Sequence, residues 1–264
     1  MAASISDMID FVWKSPKPPV GTKRRVLDRT LPENFKYFRN WGFTIYRTYY
    51  GTESDEHWNT LLQVLTQQTR LALGYHEREK VKNMDYRWAS DPRREDSVYT
   101  DRIQIMKKLF RLLPREDPDL LTGLDIAAIR KLCLEEGEYD ESEKNMVGSC
   151  FNFVLVADEA ILKDIANNEF VIKAVGYDWC PIQNQGSWGW MRLATGDLLQ
   201  LWENLFISYE ISVSKYVEIS FRRPEEDLER HVWSGALSLF PFGDCSRVQT
   251  ACGGDESGRF KFDP

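Results

Sequence analysis

Histidine and cysteine are scarce in this chain, no stretch is long and apolar, and no glycine-rich phosphate loop occurs. The three histidines, His57, His76 and His231, show no metal-ligand spacing, so no metal is expected. The five cysteines (Cys133, Cys150, Cys180, Cys245 and Cys252) are odd in number and far apart. Without an export signal in Met1 to Trp13, that pattern fits reduced thiols and a cytoplasmic protein. No apolar run reaches the roughly 18 residues of a membrane span. The patterns G-x-x-x-x-G-K-[ST], G-x-G-x-x-G and G-x-S-x-G are all missing, which removes nucleotide phosphate loops and the nucleophile elbow; no cofactor is expected. A net charge of −7 excludes general nucleic-acid binding, which needs a basic surface, though not a local basic patch.

Aromatic residues are what the chain has in abundance. They make up 13% of the 264 residues and include nine tryptophans, against an ordinary 28% charged and 42% apolar background. Ile5, Met8, Ile9 and Val12 recur at helical spacing and predict a short N-terminal helix. The prolines at 16, 18 and 19 then impose an extended path, and Lys14 to Arg25 is basic. Residues 1–39 therefore read as a helix followed by a solvated Pro/basic linker. The same basic stretch also fits a nuclear-import signal, which would place the protein in the nucleus.

From Gly42 to Tyr50, β-branched and aromatic residues alternate as in a strand, with Phe43, Ile45, Arg47 and Tyr49 sharing one face. A helix opening near Ser54 or Asp55 carries Trp58, Leu61, Leu62, Leu65 and Ala72 on one stripe. A charged insertion follows at 74–100. Further strands are expected at 108–113, 151–156 and 170–175, with helices opened by Asp125, Asp158 or Glu159, and Asp197. This alternation predicts a single α+β or α/β domain over 40–240, with about four main strands and helices packed on the sheet. Residues 211–221 suggest another strand, and 225–239 a helix with Trp233 packed inward. The tail 241–264, rich in glycine, aspartate and serine, reads as flexible.

Trp41 to Tyr50 followed by Ser54-Asp55-Glu56-His57-Trp58 resembles a large group of ascomycete fungal proteins to which no activity is assigned. Leu120 to Gly123, and the 170–175 strand followed by Asp178-Trp179, are similar to later parts of that pattern. The resemblance spans roughly 40–207. It implies a fungal source and one intracellular domain, and it transfers no chemistry.

Six residues stand out as a candidate site. Arg47 on an otherwise apolar strand face must be paired if that face is core, either with a structural carboxylate or with an anionic ligand held in its planar fork. Tyr49 follows it. Asp178 and Trp179 close a predicted strand, where α/β sheets place ligands, and Asp178 is the candidate general base. The Gly186 to Trp190 stretch reads as a turn exposing Trp188 and Trp190, with Arg192 completing an aromatic and cationic pocket. Two functions follow. One is a non-catalytic module that binds a small molecule or a protein through an aromatic-lined surface. The alternative is a cofactor-independent acid–base enzyme of fungal specialised metabolism, with Asp178 as base and Arg47 holding an anionic substrate. Oligomeric state has no signature here.

Overall fold

The computed structural model describes residues 5–16, 21, 27–29, 31–83, 102–136, 146–147, 151–179, 188–211 and 228–233. The chain begins with α1 (Ile5–Val12), whose Ile5, Met8, Ile9 and Val12 are all buried, and a 3-10 turn at Pro32–Tyr37. Strand β1 (Trp41–Arg47) leads into the long helix α2 (Ser54–Asn83) and helix α3 (102–109). Next come β2 (Phe110–Arg115), the single turn α4 (Pro118–Leu121) and α5 (Ile126–Glu136). Then β3 (Phe153–Ala157), α6 (Glu159–Ala166), β4 (Val171–Gly176) and β5 (Trp190–Ala194) follow. A 3-10 turn at Thr195–Asp197, α7 (Leu198–Ile211) and β6 (Val232–Trp233) complete the described elements.

The single-domain α/β expectation holds, with six strands where about four were anticipated, in the order β2-β1-β3-β4-β5-β6. β1 is parallel to both β2 and β3, β4 is antiparallel to β3 and β5, and β6 is parallel to β5. Pro114 lies in β2 at one end of this order, where a missing N–H costs least. β1, β3 and β4 are buried at every position, so their two faces are both covered. Gly42 sits in β1 at φ +137, and a side chain there would collide with the backbone carbonyl of Arg111 on β2. Only glycine permits that approach.

The core centres on rings. Trp41 meets Phe110 at 4.8 Å and Trp202 of α7 at 5.1 Å, and its indole donates to the Met106 carbonyl at 2.8 Å. Phe11 of α1 stacks on Phe151 and leans on Phe206 at 4.8 Å. α1 therefore packs into the core. Asp125 and Asp158 cap α5 and α6 by accepting from the amides of Ala128 and Ile161, as their positions predict.

Three expectations are corrected. The stretch ending at Trp190 is not wholly an exposed turn: Trp190 opens β5 and is buried. Trp233 lies in β6 rather than on a helix. The helix that begins at Ser54 continues through 74–83, into the expected insertion. The rest of that insertion, most of the 211–221 strand and the tail 241–264 lie outside the described residues.

Candidate functional site

The six singled-out residues fall in three places. The first is the carboxyl end of β1. The chain leaves β1 for β2 on one side and later returns to β3 on the other, so this end is a topological switch point. Arg47 stands there, 3% exposed. Its Nε donates to the Tyr49 carbonyl at 3.0 Å, and Nη2 donates to Ser54 Oγ at 2.7 Å and to Asp55. Glu116 lies 3.9 Å from Nη1, and the guanidinium rests 4.5 Å from the Tyr50 ring centre. Burying this charge demands that network, because an unpaired guanidinium in the interior costs several kcal/mol. Tyr50 donates to the Arg47 carbonyl at 3.0 Å. Burial raises the Tyr50 phenol above its ordinary pKa of 10.0; Arg47 and the Asp117 backbone hydrogen bond oppose this, while the Glu116 and Asp117 charges add to it. Tyr49 is half-buried, and its hydroxyl folds back over Gly51.

The second place is the middle of β4 and β5. Lys173 and Arg192 are direct cross-strand partners, so both side chains rise from one sheet face. Like charges opposite each other repel, and both are buried, at 2% and 1% exposure. Three carboxylates offset them. Lys173 Nζ binds Asp158 at 2.5 Å and also Glu229, while Arg192 binds Asp164 and the Glu229 carbonyl. Trp190 lies under Lys173, its ring centre 5.2 Å from Nζ. Trp190 and Arg192 thus share one face of β5, inside the protein.

The third place is the opposite end of the sheet from Arg47. Because β4 runs antiparallel to β3, its carboxyl end lies beside Phe153, where β3 begins. Asp178 is exposed there and accepts from Asn152 at 3.2 Å. Trp179 covers Gly189, which adopts φ +65, and its ring stacks on Arg130 at 4.4 Å. Arg130 in turn donates to the carbonyls of Gly176 and Trp188 at 3.0 and 2.7 Å. Arg47 and Asp178 are therefore not neighbours.

A fourth place was not singled out in the sequence. Trp13, at the end of α1, pairs with Phe38 in an antiparallel bridge. The Lys14 amide donates to the Tyr37 carbonyl at 2.8 Å, and the Arg39 amide to the Val12 carbonyl at 2.9 Å. This frame sets Trp13 edge-on to Phe38 and Tyr37 at 4.8 and 5.8 Å, with Phe35 5.7 Å from Phe38. Unlike the core rings, these reach the surface: Phe35 is 37% exposed and the neighbouring Leu31 42%. Arg29 lies 5.3 Å over Trp13, and Lys36 5.3 Å over Tyr37. Basic residues beside Trp13 and the run of rings at 35–38 are the sequence signal that marks it.

Among the described residues, no three or more His, Cys, Asp or Glu side chains gather as a metal would require, and no helix is long and apolar enough to cross a membrane. No protein-family profile, curated protein or solved structure matches this chain.

Proposed function

We propose that this protein is a non-catalytic binding module, fungal and cytoplasmic, that engages a protein partner through an aromatic surface. The observation that carries this reading is the Trp13–Phe35–Tyr37–Phe38 patch. Aromatic rings held on a rigid frame and left at the surface are the anchors on which binding energy concentrates. The core does not need Phe35 or Leu31, since both leave a large share of their area in water. Arg47 and Lys173 counsel the same choice from the other direction. Each is held by carboxylates of the protein itself, which suits structural support better than ligand capture. The separation of Arg47 from Asp178 counts against the acid–base enzyme, because one small substrate would have to reach both ends of the sheet.

Selection from a random peptide library on the immobilised chain tests the proposal. The selected peptides are expected to lose binding to a Leu31→Ser/Phe35→Ser variant whose unfolding midpoint is unchanged. Peptides that bind the variant as well as the wild type would place recognition elsewhere. A metabolite that raises the unfolding midpoint of wild type but not of Arg47→Ala would favour the small-molecule reading instead.

A further inference from the structure

The cations around this patch differ from those buried in the sheet. Arg47, Lys173 and Arg192 each bind at least one carboxylate. Lys14, Lys36 and Arg39, by contrast, have no carboxylate within ion-pair distance among the described residues. Lys36 lies over the Tyr37 ring, and Arg39 spends one nitrogen on the Phe11 carbonyl at 2.9 Å. Arg29 alone is paired, with Asp10 on α1. The sequence is also basic along this segment. Residues 14–39 hold eight Lys and Arg against Asp28 and Glu33, a net of +6 in a chain of −7, which leaves −13 for everything else.

We infer that the patch docks an acidic, apolar peptide segment of a partner protein, with carboxylates on Lys14, Lys36 and Arg39 and an apolar side chain on Phe35 and Leu31. This rests on the binding-module reading and names the chemistry of its partner. Charge complementarity selects the carboxylates, and the half-exposed rings select the apolar anchor. The same features disfavour the other polyanions. Single-stranded nucleic acid binds by stacking bases on open ring faces, and Arg29 and Lys36 already occupy faces of Trp13 and Tyr37. An anionic bilayer wants an unpartnered amphipathic helix, but the apolar residues of α1 are spent in the core. The −13 on the rest of the chain repels extended anionic surfaces more than it repels a short peptide.

The test is fluorescence anisotropy on the full chain, using a labelled peptide of alternating glutamate and leucine around one tryptophan. Its glutamine analogue serves as the matched probe. The acidic peptide is expected to bind about tenfold tighter at low salt, as several exposed ion pairs together allow, and salt should erode that preference. Lys14→Glu/Lys36→Glu should abolish it with no change in unfolding midpoint. Equal affinity for the two peptides, or a preference that survives the charge reversal, overturns the acidic assignment. If both peptides then still depend on Phe35, the binding-module reading stands. If neither peptide binds, both ideas fall. Tighter binding of an oligothymidylate or a phosphatidylserine vesicle, or dimerisation abolished by the charge reversal, overturns the peptide in favour of that occupant.

Discussion

Two groups of cations in this protein stand in contrast. Those on the sheet, Arg47, Lys173 and Arg192, are 1–3% exposed and are surrounded by carboxylates and backbone carbonyls. At the end of α1 and along 36–39, Lys14 and Lys36 are exposed and Arg39 is half-buried, and Lys36 lies over the Tyr37 ring. The difference follows from solvation. A buried cation is tolerated only with its counter-charge in place, so its partners are fixed by the fold. A surface cation needs no internal partner and stays available to an external one. On this account the sheet's charges hold the structure together, and the N-terminal patch does the binding.

The comparison breaks most visibly at Arg192. Asp164→Ala leaves that guanidinium in the interior without its carboxylate and is expected to cost about 3–5 kcal/mol in urea unfolding. Replacing both partners, as Arg192→Met with Asp164→Leu, should recover most of the loss. Arg47→Met should cost less, about 1–3 kcal/mol, because Asp55 is 86% exposed and regains water when its partner goes.

Tyr50→Phe removes one hydrogen bond to the Arg47 carbonyl and should cost about 0.5–1.5 kcal/mol near neutral pH. Its pH signature has a definite sign. The folded-state pKa lies above 10.0, so the native state holds the phenolic proton more tightly than the unfolded chain. That contribution is fully present below pH 10.0 and is lost as pH rises through the folded-state value. Wild type should therefore lose its advantage over Tyr50→Phe across that alkaline window. A gap between the two that stays constant or widens would contradict the raised phenol pKa. The smallest stability effect belongs to the patch: Lys14→Glu/Lys36→Glu should stay within about 0.5 kcal/mol of wild type.

Much of the frame was readable from the residues, and the failures have physical causes. β1 announces itself by β-branched and aromatic alternation, α2 by its Trp58–Leu61–Leu65 stripe, and α6 by the Asp158 cap. β5 was missed because Arg192 interrupts its short apolar run and glycines precede it. What makes Arg192 a core residue is Asp164, 28 positions away, and such a pairing leaves no local signal. Asp178 looked like a partner for Arg47 because one follows a strand and the other lies toward the end of one. Strand direction decides which end of the sheet that is, and β4 runs the opposite way from β1 and β3. The patch was hidden for the same kind of reason. Trp13 and Phe38 meet only because the chain doubles back, and the intervening prolines and basic residues read as a solvated linker.

Hydrogen–deuterium exchange of the full chain, with and without a saturating selected peptide, tests the division of labour most directly. Protection is expected at 13–14 and 31–39, with the amides at 47–55 and in β4 and β5 unchanged. Protection concentrated at the carboxyl end of β1 or around Lys173 and Arg192, with the N-terminal patch unaltered, would contradict the account.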